Sequence, residues 1–319
     1  MLSNKKILIT GVAGFIGACL AHRLIEYGCK PDLIIRGQSN LWRIKDILPK
    51  VNLHYADLTD KDGIEKIISK IRPEIIYHCA TYGGYPYQAD LDKIIHTDII
   101  GTINLLEACL KYKFNCFVNT GTSSEYGIKK QPIKESDLLE PVNTYGAAKA
   151  SATLFCQAVA RKDKLPIATL RLFSPYGYYE AQERLIPSVI IACLNKKNPK
   201  LSSAHFVRDF VFIDDVVDAY IKVAENQDVI QGEIFNIGSG NQCSVGEIVN
   251  MIIRLIPTAV NPQWGSVPNL RIEPISWVAD ISKVKAIINW QPKYDLIQGL
   301  EKTAAWIERN ISLYKDTIV

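Results

Sequence analysis

The chain has 319 residues, 48% of them hydrophobic and 22% charged, which suits one large α/β unit or a domain with a smaller companion. A net charge of +4 with no Lys/Arg stripe gives no footing for nucleic acid, and it fits a small anionic substrate without selecting one. The 8 cysteines are scattered with no Cys-x-x-Cys pair, so they read as reduced core thiols of a cytoplasmic protein, and no metal is expected.

Met1 to Lys6 runs straight into Ile7-Leu8-Ile9-Thr10-Gly11, an apolar stretch too short for a signal-peptide core. No later run approaches the length of a membrane span. Short β-branched runs predict strands over Lys6–Thr10, Asp32–Ile35, Asn52–Tyr55, Glu74–His78, Cys116–Asn119 and Ile167–Leu172. Helical patterns fall between them at Phe15–Tyr27, Lys61–Ile71, Lys93–Lys111 and Tyr145–Arg161. The alternation implies an α/β fold with a doubly wound parallel sheet, whose ligands bind beyond the carboxyl ends of the strands. After Leu172 the rhythm changes to Phe173-Ser174-Pro175-Tyr176-Gly177-Tyr178-Tyr179, followed by a short helix near Leu185–Leu194. Phe210–Ile213 and Ile234–Ile237 are expected as strands returning to the main sheet. The expected division is a dinucleotide-binding domain of residues 1–172 plus 210–238, with a discontinuous second domain of 173–209 plus 239–319.

The first strand ends in Thr10-Gly11-Val12-Ala13-Gly14-Phe15-Ile16-Gly17. Gly11, Gly14 and Gly17 suit the tight turn, the close approach to a pyrophosphate and helix-on-strand packing. The helix opening at Phe15 and Ile16 would offer its N–H groups to the phosphates. At the end of the second strand, where an acid would hold the ribose of NAD, the chain has Arg36, followed by Ser39, Asn40 and Arg43. A charged fork and a hydroxyl suit a 2′-phosphate, so NADP(H) is favoured with NAD(H) still open; the competing reading is a solvated loop. Asp57, before Leu58, is placed to accept from an adenine amino group.

Tyr145 and Lys149 are four apart, on one face of a helix that begins after Pro141-Val142-Asn143-Thr144. An ammonium beside a phenol lowers its pKa towards neutrality and makes it usable as an acid or base. Upstream, Asn119 to Gly127 closes a strand with several hydroxyls that can hydrogen-bond a reacting oxygen.

With these motifs in place, the sequence resembles the extended short-chain dehydrogenase/reductases that act on nucleotide sugars as epimerases, dehydratases and reductases. The likeness rests on Thr10–Gly17, Asp57-Leu58, His78-Cys79-Ala80, Thr122–Gly127, Tyr145–Lys149, Arg171–Gly177, Arg208–Asp215, Phe235–Gly240 and Trp290-Gln291-Pro292. It implies a Rossmann-like sheet with a smaller nucleotide-sugar-binding domain, and a homodimer built through the helices at Lys93–Lys111 and Tyr145–Arg161. By resemblance Tyr145 is the acid/base, Thr122 is the catalytic hydroxyl, and Lys149 also binds the nicotinamide ribose. Cys79 and Ala80 then line the cofactor site. The stretch Arg36 to Arg43 is similar to the 2′-phosphate loop of GDP-mannose 4,6-dehydratases. Ser174 falls where many relatives have Asn beside the sugar nucleotide, Ile186-Pro187 begins the substrate-lining helix, and Arg271 lies near another diphosphate arginine. Arg208 has two readings, a grip on the substrate diphosphate or an ion pair with Asp209 or Asp215.

Three chemistries share this scaffold. A 4,6-dehydratase needs acids directly after the catalytic Thr, where this chain has Ser123 and Ser124; Glu125 arrives one place late. A C4 epimerase retains its cofactor, whereas a 4-keto reductase exchanges NADPH on each turnover, which fits a 2′-phosphate site better. Reductase is ranked first, epimerase second and dehydratase third, all on a nucleotide-diphosphate sugar. Tyr82, Tyr85, Tyr87 and His96 either touch the sugar or pack over the cleft. Asp98 departs from the family Asn, and its charge would alter the surroundings of Lys149. A non-catalytic dinucleotide sensor is the alternative from another class, against which the retained Thr122, Tyr145 and Lys149 argue.

Overall fold

The computed structural model describes residues 2–269 and 276–315. Arg271, expected near the substrate, lies outside the described residues. Seven parallel strands form the main sheet in the order β10-β6-β5-β4-β1-β2-β3. They are β1 (Ile7–Thr10), β2 (Asp32–Ile35), β3 (Asn52–Tyr55), β4 (Ile75–His78), β5 (Cys116–Thr122), β6 (Ile167–Leu172) and β10 (Glu233–Ile237). Both faces of the sheet are covered, so β1 is buried throughout. Its alternation sends Ile7 and Ile9 into the larger core and Leu8 into the second core, with Ile34, Ile76 and Phe117. The strand order reverses at β1, which has β2 on one side and β4 on the other; that switch point opens the ligand crevice.

The covering helices are α1 (Phe15–Glu26), α2 (Lys61–Ile71), α3 (Leu91–Ile94), α4 (Gly101–Leu110), α5 (Thr144–Asp163), α6 (Leu185–Leu194) and α7 (Ile213–Glu225). Beyond them come α8 (Val245–Leu255), α9 (Ser282–Ile288), α10 (Leu296–Arg309) and α11 (Ile311–Lys315). Side-chain caps set several starts: Asp60 accepts from Gly63 N–H, Asp90 from Lys93 N–H and Asn143 from Gly146 N–H. Among the described residues no helix is long and apolar enough to cross a membrane. All eight cysteines are free, seven of them buried.

Three features differ from the sequence reading. Residues 93–111 were expected as one regular helix, but α3 and α4 are joined by a π turn over Ile95–Ile100, which carries Asp98. A 3-10 helix at Trp42–Lys50 occupies the segment after β2, which carried no expected element. The run Phe210–Ile213 does not return to the main sheet. β10 already holds the edge beside β6, pairing Ile234 with Thr169. β9 (Phe210–Phe212) instead pairs in parallel with β7 (Ser174–Tyr176), and Ile213 opens α7. Tyr176 packs against Phe212 with ring centroids 5.7 Å apart, which anchors this small sheet. A third sheet pairs β8 (Val207–Arg208) with β11 (Cys243–Ser244) in antiparallel fashion.

Candidate active site

The site is assembled where β1, β4 and β5 end. Gly11 has φ +71°, and a Cβ there would lie 2.4 Å from both Ala80 N and the carbonyl carbon of Cys79. Only glycine permits this left-handed turn pressed against the end of β4. Gly14 N–H donates to Gly11 O at 2.9 Å, and α1 starts with Gly14 as an N-cap that offers no side-chain acceptor. The first-turn N–H groups at Phe15, Ile16 and Gly17 therefore face the crevice without a capping side chain. A Gly11→Ala variant is expected to lose dinucleotide binding and to be destabilised by at least about 1–2 kcal/mol, the strain of the left-handed backbone alone. Cofactor-fluorescence titration and thermal melting measure the two effects.

Arg43 is fixed beside this loop. Its Nε donates to Tyr179 O at 2.7 Å, its Nη1 donates to Ala13 O at 3.0 Å, and its guanidinium lies 4.4 Å over the Trp42 ring. Arg36 is exposed at the end of β2, Ser39 is partly buried and donates its N–H to Arg36 O, and Asn40 accepts from Trp42 N–H. Across β3, Asp57 is exposed and its Oδ1 accepts from Thr59 N–H and Oγ1–H; Leu58 is buried in the second core.

The helix carrying Tyr145 and Lys149 is seated by Gly146, where a Cβ would stand 2.5 Å from Ser124 O. That close approach brings the start of α5 against the end of β5. Thr122 caps a 3-10 turn over Ser123–Glu125: its hydroxyl accepts from Ser124 N–H at 3.2 Å, and its own N–H donates to Glu125 Oε1 at 2.9 Å. Glu125 is completely buried, accepts from Thr153 and is paired with Arg171 Nε at 2.7 Å. It belongs to the scaffold behind the site and is not presented to substrate.

The Tyr145 phenol lies near the hydroxyls of Thr81 and Thr122 at the crevice. Burial, and then the charge of Asp98, push the Tyr145 phenol up to about 12; hydrogen bonding from Thr81 and Thr122 and the charge of Arg184 act the other way. The expected neutral-range phenol is thus not produced by the lysine. Lys149 sits one turn deeper, fully buried, and its ammonium acts on Asp98 and His78. Its Nζ has no hydrogen-bond partner among the described residues. An orphaned buried ammonium and a glycine cradle that a Cβ would fill fit a bound dinucleotide, with Lys149 on a ribose hydroxyl and the α1 N-terminus on the phosphates.

His78 accepts from Thr10 Oγ1 at Nδ1 (2.7 Å) and faces Thr102 Oγ1 at Nε2 (2.9 Å). Since Thr102 donates to Asp98 O at 2.7 Å, it must accept from His78, which assigns the Nε2–H tautomer. Burial and Lys149 lower His78 to about 3, so it is a neutral structural link.

The other expected contacts are spread more widely. Tyr82 N–H donates to Asp98 Oδ1, while Tyr85 stacks on Tyr87 at 5.2 Å. His96 is exposed, with Nδ1 on Asp92 O. Ser174 N–H donates to Asp209 O on the small sheet, and Ile186 is buried in the larger core. Arg208 Nη1 donates to Val207 O at 2.7 Å. The carboxylates expected to pair with Arg208 are engaged elsewhere. Asp209 accepts from Ser239, Gly240 and Ala279, and Asp215 accepts from the N–H groups of Lys293 and Tyr294.

Sequence reasoning missed Thr81 and Arg184. Arg184 precedes α6, donates to Gly84 O at 2.8 Å and lies 4.2 Å over Tyr85, clamping the tyrosine-rich loop above Tyr145. Its place just before the expected substrate-lining Ile186-Pro187 was the available signal. Thr81 directly follows Ala80, already read as cofactor-lining.

The sequence profile of the NAD dependent epimerase/dehydratase family matches residues 7–238. A UDP-glucuronate 4-epimerase of Thermodesulfobacterium geofontis is 28% identical, over 97% of this chain and 98% of that protein. Among solved structures, the UDP-glucuronic acid 4-epimerase of Bacillus cereus, in complex with UDP-glucuronic acid and NAD, superposes with a TM-score of 0.85 at 27% identity, covering 96% of this chain and 99% of that one. The dTDP-glucose 4,6-dehydratase of Bacillus anthracis, in complex with NAD, gives the same TM-score and identity, over 98% and 99% of the two chains.

Proposed function

The chain belongs to the NAD dependent epimerase/dehydratase family, and we propose that it acts on a nucleotide-diphosphate sugar by NADPH-dependent reduction of the 4-keto group of a 6-deoxy sugar. Membership of this enzyme family, with Thr122, Tyr145 and Lys149 retained, sets aside the non-catalytic sensor. The observation that carries the reductive branch is the end of β2, where exposed Arg36 stands in place of an acid, with Arg43 pinned beside the glycine loop. This arrangement suits a 2′-phosphate and an exchangeable cofactor. The dehydratase branch lacks its acid and base: Ser123 and Ser124 follow Thr122, and Glu125 is locked against Arg171.

In this reading a nicotinamide cofactor, held by Lys149 and the start of α1, would supply the hydride chemistry at the ring carbon. Tyr145 supplies the proton to the oxygen formed there, Thr122 holds that oxygen by a hydrogen bond, and Lys149 orients the ribose. Arg184 and the loop over Tyr145 shield the reacting carbon from water, and Arg208 and Ser174 take the diphosphate side of the substrate. Asp57 and Leu58 flank the adenine. The division into a dinucleotide part (1–172 plus 210–238) and a sugar part (173–209 plus 239–319) belongs to the same proposal. So does a homodimer, supported by exposed Leu91, Ile95 and Ile100 on the α3–α4 segment and exposed Leu154 and Phe155 on α5.

The second reading is C4 epimerisation with NAD, supported by the epimerases among the relatives and by the NAD bound in the B. cereus and B. anthracis structures. Cofactor released on denaturation separates the two. Stoichiometric NAD supports the epimerase, while exchangeable NADP(H) supports the reductase. Arg36→Glu is expected to weaken NADPH binding about ten- to a hundred-fold, the loss of a charge-assisted hydrogen bond, with NADH binding retained. Equal loss of both cofactors would contradict the 2′-phosphate assignment.

A further inference from the structure

The segment after β4 is stapled to itself. Gln88 Oε1 accepts from Gly83 N–H at 3.1 Å and from Tyr85 N–H at 3.3 Å, and Gln88 N–H donates to Tyr85 O at 2.9 Å. Tyr87, 71% exposed, stacks on Tyr85. These contacts all lie within residues 83–88, so the segment can swing without being taken apart. Its root has a fixed point followed by a hinge. Tyr82 N–H is held by Asp98 Oδ1 at 3.0 Å, and next come Gly83, with φ +100°, and Gly84. At the other end Asp90 is fixed as the cap of α3.

The underside of this segment rests on Tyr145, where a Cβ on Gly83 would come 3.2 Å from the ring's Cδ2. Across the crevice Arg184 reaches it from the N-cap of α6. Its Nη2 donates to Gly84 O at 2.8 Å, and its Cζ lies 4.2 Å over the Tyr85 ring. The turn that carries Arg184 is itself anchored. Arg43 Nε donates to Tyr179 O at 2.7 Å, and the Tyr179 ring packs on His22 at 4.9 Å and Trp306 at 4.6 Å. That anchoring holds Tyr179 at φ +63°, a strained value for a tyrosine. An anchored arginine therefore grips a self-contained segment that is hinged on glycines.

We propose that residues 83–89 are a lid over Tyr145, latched by Arg184, and that unlatching admits the sugar nucleotide and releases the product. The inference rests on the reading above, in which the sugar reacts at Tyr145. Arg184 is then a positioning residue that acts through Gly84 and Tyr85. Its latch joins a charge-assisted hydrogen bond to a cation–π contact on a partly exposed side chain. With the lid down the reacting carbon is kept from water, and opening, not chemistry, sets the turnover rate.

The test places 3-fluorotyrosine at position 145 of the full chain. Fluorine relaxation caused by a neutral gadolinium chelate then reports how far solvent reaches the ring. Arg184→Met removes the charge and the donor and is expected to raise this relaxation about ten-fold. Gly84→Ala fits the closed lid, because the nearest atom to its Cβ would be Arg184 Nη2 at 4.0 Å, but it stiffens the hinge. It is expected to lower the relaxation. Unchanged relaxation in Arg184→Met, on protein shown to be folded by circular dichroism, overturns the latch; a rise in Gly84→Ala overturns the hinge. The measurement needs neither substrate nor cofactor, so its outcome stands apart from any failure of the reductive reading. With a turned-over substrate, kcat should fall as solvent viscosity is raised, and Arg184→Met should lose that dependence, which a purely structural role would not cause. A kcat of the unaltered chain that ignores viscosity overturns the gating step.

Discussion

Tyr145→Phe is expected to lower turnover by about 10²–10⁴-fold, the usual contribution of a positioned general acid, while nucleotide-sugar and cofactor binding change little. The ring keeps its place under Gly83, and only the hydroxyl near those of Thr81 and Thr122 is lost. A phenol raised to about 12 by the protein's own groups donates its proton at every pH below that value. Reduction should therefore stay fast through the neutral range and fall only in alkali, and the reverse oxidation should rise with pH. Steady-state rates over a pH series, on protein shown to be folded by circular dichroism, measure both. A Phe variant with full turnover would remove Tyr145 from the chemistry.

The other large effect concerns stability. Arg171 and Glu125 are paired at 2.7 Å with side chains only 2% and 0% exposed, and Arg171 also lies 4.5 Å over the Tyr126 ring. Arg171→Met should cost about 3–5 kcal/mol, because it strands a buried carboxylate. The double variant Arg171→Met/Glu125→Leu should recover much of that loss, since neither charge then remains. It should still turn over slowly, because Glu125 is the acceptor that holds the Thr122 N–H. Chemical denaturation and rate measurements on the two variants separate the stability role from the positioning role. Equal stability of the single and double variants would contradict this account of the pair.

Local signals made the sheet legible from the sequence. Most main-sheet strands are short β-branched runs, and the glycine turn and the Tyr145/Lys149 spacing mark the end of β1 and the start of α5. What the sequence concealed depends on contacts between distant segments. Phe210–Phe212 has the composition of a core strand, yet its partner is chosen by the competition between β10 and β7 for neighbours. Glu125 reads as a free acid near a catalytic hydroxyl, and only its meeting with Arg171, on the neighbouring strand, shows it to be scaffold. Thr81 and Arg184 are unremarkable by type and gain meaning from lying above Tyr145. The four-residue spacing was read as an ammonium beside a phenol, but depth along α5 separates their surroundings and gives Asp98 the larger influence on Tyr145.

All these roles depend on hydride delivery from exchangeable NADPH to a ring carbon of a sugar nucleotide. It is tested most directly by incubating the protein with NADPH deuterated at its transferable position and a panel of nucleotide-linked 4-keto-6-deoxy sugars, followed by mass spectrometry of the sugars. One sugar nucleotide should gain the label as NADPH is consumed in equal amount. Sugar conversion without label or cofactor consumption, or silence across the panel, would contradict it.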